Sequence, residues 1–396
     1  MKRKALIING GIPPYLLIII SVMTAFTVAN LHYNIPVLED ISQELGISQV
    51  KTNLITVFTQ VGYATGLLFI VPLGDLFDAR RIIGINFLIL IASLITFSLS
   101  SCTESLWFAS IFTGLSSVTV QMYIPMVSKY SRQADKARNV GYIISSLIIG
   151  VLLGRTIGGL VGAWIGWRML YIFAAVLMLL CCIILFLLMP PLESNFTGSY
   201  GELLHSILNI LKEYPEILGH AFRSSLAFAS FNTLWACMAF HLAGPPFFSG
   251  SNSVGLLGLC GILTAFFVAN LGKYLDRYGI YRFNLIGFFI MLIAWILLWV
   301  FGNSYIGLIA GIVIVDIGQQ FVGVSNQSAS LALDPCASNR INTAYMTIYF
   351  IGGSLGTFLA GQSWYRLGWN GIVLVGCILI VMALLTTIMK RRKKQN

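Results

Sequence analysis

The chain has 396 residues, of which 57% are hydrophobic and only 10% charged. A water-soluble domain carries about a quarter charged residues, so this chain cannot clothe a water-facing surface of its size, and a lipid bilayer is its expected surrounding partner. The net charge of +10 would suit a nucleic-acid binder, but the placement of the basic residues argues against one.

Lys2, Arg3 and Lys4 open the chain. The apolar run from Pro14 to Pro36 is too long for a secretory signal, and no small-residue cleavage site ends it. It reads as a first span. Apolar runs of about 20 residues, enough to cross a bilayer, predict twelve spans in all, at 14–37, 52–74, 82–100, 104–128, 138–163, 168–189, 219–243, 253–273, 281–301, 304–328, 340–363 and 368–389. Backbone facing lipid must bond to itself, so each span is expected to be helical. With the N-terminus in the cytoplasm, all 24 Lys and Arg except Lys51, Arg155, Arg168 and Arg366 fall on the cytoplasmic side, as the positive-inside bias requires. Both termini are then cytoplasmic. The basic balance is topological, with no nucleic acid implied.

The longest loop, 190–218, divides the chain near its middle. Leu203, Leu204, Ile207, Leu208, Ile210 and Leu211 alternate there with Glu202, His205, Lys212 and Glu213, which predicts a short amphipathic helix on the cytoplasmic face. The halves on either side repeat. Asp75 matches Asp276 at an offset of 201 residues, and Arg138 matches Arg340 at 202. Gly154 with Gly356, and Gly166-Trp167 with Gly368-Trp369, share the 202 offset. A parallel six-plus-six repeat is expected of transporters that rock two halves about a midplane site. The expected organisation is an all-α membrane protein of two pseudo-symmetric six-helix bundles, 1–189 and 219–396, joined by the linker 190–218.

Two loop segments carry a signature. Gly272, Asp276, Arg277 and Gly279 follow the eighth span; Gly74, Asp75, Asp78, Arg80 and Arg81 follow the second. They resemble the cytoplasmic loop motif of the major facilitator superfamily, G-x-x-x-D-R-x-G-R-R. The first copy departs from it, with Val71 at the leading Gly and Leu76 at the first Arg. The fifth span carries Gly150, Gly154, Gly158, Gly159 and Gly162, a ridge suited to close helix packing. It resembles the antiporter motif G-x-x-x-G-P-x-x-G-G of that superfamily, with Arg155 in place of the Pro. Stretches around Asn326 and from Arg340 to Met346 look like bacterial drug and metabolite efflux members. The motif logic assigns Asp75, Asp78, Arg80, Arg81, Gly272, Asp276, Arg277, Arg138 and Arg340 to a conformational latch: a carboxylate at a helix end meets a helix N-terminus or an Arg across the halves.

Arg155 and Asp316 lie deep in apolar runs, at a cost of about 2.5–3.5 kcal/mol each on insertion scales. Neither is repeated: Thr357 and Gly114 stand at the equivalent positions. Symmetry-breaking charge points to substrate or ion handling, with Asp316 as the proton-coupling acid and Arg155 its modulator. A permanent ion pair tying the halves, or Arg155 anchoring an anionic substrate, are the alternatives. The resemblance implies that spans 1, 4, 7 and 10 line a central cavity. The polar stripes are consistent with that: Thr27, Asn30 and Asn34; Thr113, Ser117 and Gln121; Asn232 beside Phe228, Phe231 and Trp235; Gln319 and Gln320. Amides, hydroxyls and aromatics with one acid suit a small organic molecule. His32 and His241 read as interfacial residues.

The scattered cysteines form no C-x-x-C pair and no Cys/His ligand spacing, so no metal or other cofactor is assigned. No Walker A run is present; Gly272-Lys273 lacks the preceding glycine loop. An intramembrane enzyme would need catalytic groups clustered at one depth, which the sequence lacks. The expected activity is secondary active transport, proton-coupled efflux of small organic molecules by a monomer through alternating access. Proton symport or facilitated import of a metabolite is the alternative.

Overall fold

The computed structural model describes residues 6–190, 192, 198–334 and 337–395, with side chains of 265–278 and 390–395 outside the description. The described residues contain helices and turns but no strand. The first span is two helices, α1 (Pro14–Ala29) and α2 (Asn34–Leu45), joined by a turn at 30–33. There follow α3 (Gln49–Phe69), the short α4 (Leu73–Leu76), α5 (Ala79–Leu99), α6 (Thr103–Ser117), α7 (Val120–Tyr130), α8 (Lys136–Ile165) and α9 (Trp167–Leu188). The linker carries α10 (Tyr200–Glu213). The second half comprises α11 (Glu216–Ala236), α12 (Met238–Ala243), α13 (Ser251–Gly258), α14 (Cys260–Phe301), α15 (Tyr305–Leu331) and α16 (Ser338–Gln395).

Among the described residues, nine helical stretches are long and apolar enough to cross a membrane. The difference from the twelve expected runs has local causes. The run 104–128 is split where α6 gives way to α7. The described apolar part of run 253–273 ends at Thr264. The last two runs form one stretch, Ser338–Met389, turned at Gly368 (φ 57°, ψ −138°). Gly166, the equivalent glycine between α8 and α9, also has positive φ (83°). Such backbone is steeply unfavourable for any residue with a Cβ, which explains why this pair is repeated. The tryptophan after each glycine pins the corner. Trp167 Nε1 donates to Glu44 Oε2 (2.6 Å) and Trp369 Nε1 to the Leu298 carbonyl (3.0 Å). The other repeated glycines are contact points. A Cβ on Gly154 would lie 2.7 Å from the Ala29 carbonyl of α1, and Gly356 packs in the same way on Ala229 of α11.

The amphipathic helix in the linker forms as expected, with a capping box between Ser199 and Glu202. Its apolar row meets protein instead of lipid. Ile207 and Ile210 pack with Ile217, Ala337, Ile341, Ala344 and Tyr345. Tyr200 Oη donates to the Phe69 carbonyl at the end of α3 (2.7 Å), so α10 straps the two halves together.

Candidate functional site

The end of the molecule where the Asn9 amide meets the Lys129 carbonyl (3.1 Å) is termed proximal, and the opposite end distal. Two seams join the halves. Along one, α3 packs on α16. From the distal end inward, Trp364 Nε1 donates to Gln49 Oε1 (2.8 Å) and Asn53 Nδ2 to the Thr357 carbonyl (2.7 Å). Thr357 Oγ1 donates to Gln60 Oε1 (3.2 Å). Further in, the rings of Tyr63 and Phe350 lie 4.4 Å apart, and Gln121 Nε2 donates to Tyr63 Oη (3.0 Å). Along the other seam, α8 meets α13. Thr156 Oγ1 donates to the Gly255 carbonyl (3.2 Å), and Gly159 sits against the backbone of Ser251 and Gly255.

Arg155 and Asp316 face this second seam. The Arg155 side chain packs on Gly258 of α13 and is 4% exposed. Its Cζ lies over the Trp235 ring, 3.9 Å from the centroid, and 5.5 Å from that of Phe231. Asp316 comes from α15 in the other half, beside Thr264, Gln320 and Gly261. The two charges lie within electrostatic reach of each other, but no ion pair joins them among the described residues. His32 also adjoins Arg155, with Nδ1 against the Val28 carbonyl (3.2 Å). His241 instead is buried in the second half, stacked on Trp369 (3.8 Å) with Nε2 against the Gly302 carbonyl (2.9 Å).

The cavity candidates divide. Phe228 stacks on Tyr349 (4.1 Å), whose hydroxyl accepts from Gln319 Nε2 (2.7 Å). Trp235 and Phe231 pack on Arg155, while Asn232 Nδ2 faces Gly353 of α16. Asn30 and Asn34 each spend their amide nitrogen, on the Phe26 carbonyl (2.8 Å) and Thr56 Oγ1 (3.3 Å). Among the buried side-chain atoms without a hydrogen-bond partner are Thr27 Oγ1, Asn30 Oδ1, Asn34 Oδ1, Arg155 Nε, Asn232 Nδ2 and Trp235 Nε1. Each such atom costs about 1–3 kcal/mol, more if charged. An unpartnered buried donor such as Arg155 Nε or Trp235 Nε1 can offer a bond to a ligand or to water. Thr113 and Ser117 differ: Thr113 Oγ1 meets Ser93 Oγ (3.0 Å) in α5, and Ser117 Oγ donates to the Thr113 carbonyl (2.7 Å). Their stripe serves packing within the first half. Four-residue spacing on a helix is common to both uses, so sequence did not separate them.

The family model of the Major Facilitator Superfamily matches residues 17–357. The chain belongs to the major facilitator superfamily. It is 33% identical over 377 residues to the uncharacterized transporter YgaY of Escherichia coli O157:H7, covering 95% of this chain and 96% of that one. Among solved structures, a bacterial homologue of the human lysosomal transporter Spinster, inward-facing and occupied, superposes with a TM-score of 0.77 at 14% identity, over 96% of this chain and 98% of that chain. The D-xylose–proton symporter gives 0.74 at 12% identity, over 94% and 96%. This superfamily member is therefore a multi-pass membrane transporter.

Of the superfamily loop residues, Asp75 lies within electrostatic reach of Lys129 and of Arg340 in the other half. The rest of the first copy acts locally. Asp78 caps α5 by accepting from the Arg80 amide (3.0 Å), and also accepts from the Leu192 amide (3.0 Å). Arg80 Nη2 donates to the Phe186 carbonyl (2.7 Å), and Arg81 lies 3.9 Å from Asp78. Arg138 pairs with Asp135 (2.8 Å). The side chains of Gly272, Asp276 and Arg277 lie outside the described residues. One buried cation escaped sequence reasoning: Arg223, 6% exposed, whose Nε donates to Asn326 Oδ1 (3.2 Å), while Asn326 Nδ2 donates to Asn284 (2.5 Å). It stands four residues inside its expected span, where snorkelling to the interface was the default expectation.

Proposed function

We propose that this protein is a proton-coupled exporter of small organic molecules working by alternating access. In this reading twelve spans cross a bacterial inner membrane, both termini are cytoplasmic, the distal end faces outward, and the protein acts as a monomer of two bundles with bounds near 189 and 219. The observation that carries it is the placement of Arg155 and Asp316. They come from opposite halves, meet at a seam that rocking would open, and are close without being paired. Approach of the guanidinium favours the carboxylate form of Asp316; its withdrawal lets the acid keep a proton. A proton cycle tied to the relative position of the halves is what coupling requires. The repeated Gly–Trp corners and the Asp75–Arg340 proximity support two rigid bundles with a charged contact between them.

Proteoliposomes loaded with candidate solutes under an imposed proton gradient test the proposal. Exchange of solute against protons is expected. Accumulation of solute with protons would identify symport instead, and gradient-independent equilibration would reject coupling.

A further inference from the structure

We propose that the transported molecule is a carboxylate with a flat apolar body, its anionic end held by Arg155, Trp235 and Asn232. This rests on the transporter reading of the same site and adds its substrate class.

Arg155, Trp235 and Asn232 are 4%, 2% and 7% exposed, and Arg155 Nε, Trp235 Nε1 and Asn232 Nδ2 have no hydrogen-bond partner. Trp235 and Asn232 are one turn apart on α11, and the guanidinium lies on the Trp235 ring at 3.9 Å. The stack joins Arg155 to Trp235, so two unpartnered donors from helices of opposite halves share one place, and Asn232 stands one turn before Trp235 on α11. An indole N–H and a guanidinium N–H can only donate. A water at this place could accept from two of them, yet would need acceptors for its own hydrogens. A carboxylate has about four lone-pair sites and no hydrogen to place.

Charge decides between an anion and a neutral carbonyl. A buried guanidinium keeps a desolvation penalty until an acceptor or a counter-charge meets it. Stacking on Trp235 returns only part of it, and among the described residues Asp316 forms no ion pair with it. A neutral ligand would leave the penalty in place; a carboxylate cancels it and accepts charge-assisted bonds. The apolar body follows from the walls. Phe228 lies 6.3 Å from Phe231 at 15°, and 4.1 Å from Tyr349 at 12°, so nearly parallel rings continue away from the cationic end. Gly353 of α16 packs directly on this row: a Cβ there would stand 2.6 Å from the Phe228 ring and 2.7 Å from Asn232 Nδ2, so a larger residue would push against both.

The test uses purified full-length protein in detergent, with no gradient, so it is independent of proton coupling. Benzoate, 4-hydroxybenzoate and indole-3-acetate are compared with their primary amides by thermal shift and by competition. At least one acid should raise the melting temperature and bind on the order of tenfold or more tightly than its amide, the scale of a lost charge-assisted contact. Arg155→Gln should abolish that acid-over-amide preference, while Arg155→Lys keeps part of it; Trp235→Phe, which keeps a ring under the cation, should weaken it less. Equal binding of acid and amide, no binding of any of the three acids, or a preference that survives Arg155→Gln overturns the proposal. Acid binding with transport that ignores the proton gradient would leave this inference standing and reject the coupling mechanism.

Discussion

Substitution of Gly159 by Ala should bias the protein between its two states. A Cβ at that position would stand 2.5 Å from the Ser251 carbonyl oxygen and 2.7 and 2.8 Å from Cα and N of Gly255. Real Cβ atoms essentially never approach closer than 3.0 Å, and all three neighbours are backbone, so no side chain can swing away. The helices must part. Overpacking of this kind costs about 1–3 kcal/mol. Because the contact joins opposite halves at the distal end, the penalty falls on the state in which this seam is closed and vanishes when it opens. A coupling of that size shifts a two-state population by about 5- to 150-fold. Spin labels at the exposed Gln43 and Asn252, in a chain stripped of native cysteines, read the distal separation directly. Gly159→Ala should lengthen the distance distribution and slow transport. Gly114→Ala is the contrast: its Cβ would strike the Thr59 carbonyl within the first half, so it should lower thermal stability without lengthening the distal distance. An unchanged distribution in Gly159→Ala, or an equal shift in Gly114→Ala, refutes the reasoning.

Three further outcomes are expected. Asp316→Asn should leave solute binding detectable in a thermal-shift assay while transport stops responding to an imposed proton gradient; undiminished gradient-driven transport would remove Asp316 from the mechanism. Gly368→Ala should lower the melting temperature by a few degrees, since its φ of 57° with ψ of −138° lies in a region that costs about 1–3 kcal/mol for other residues; a melting curve unchanged from the parent would show that the corner relaxes freely. Asp75→Arg and Arg340→Asp should each slow transport severalfold, and the double charge swap should recover part of it; a double variant no better than either single would show that the two charges act separately.

Much of the architecture was legible because the bilayer imposes few solutions. Runs of the right length had to be helices, and the 202-residue offset picked out Gly166 and Gly368, both of which the backbone holds at positive φ. Arg155 and Asp316 stood out because each lies deep in an apolar run and has no counterpart at the equivalent position of the other half. The site was less legible where residue type does not specify direction. Thr113 and Ser117 share the spacing of cavity residues but bond within their own bundle. Tyr349, Tyr63 and Phe350 are ordinary aromatics until the fold brings α3 and α16 together. Asp78 reads as a latch by motif, yet its carboxylate is spent on the α5 cap and the Leu192 amide, because an acid at a helix start has backbone donors nearer than any partner across the halves.

The two seams are unequal, and the inequality follows from the broken repeat. At the α3–α16 seam the residue equivalent to Arg155 is Thr357, whose carbonyl accepts from Asn53 and whose hydroxyl donates to Gln60. With the Trp364–Gln49 bond, that seam has hydrogen bonds from its distal end to its middle. Opening it along its length would break all three, and each buried group left unpaired costs about 1–3 kcal/mol. At the α8–α13 seam Thr156 donates to the Gly255 carbonyl, and Arg155 contributes stacking and an unpaired donor. A ligand that accepts from Arg155 therefore supplies to this seam what Thr357 already supplies to the other. Binding there changes the relative stability of seam-closed and seam-open states, because the donors contributed by α8 and α11 are adjacent only while the halves meet. That is the differential affinity through which a substrate can move a two-state equilibrium, and it puts recognition and conformational change on the same few side chains.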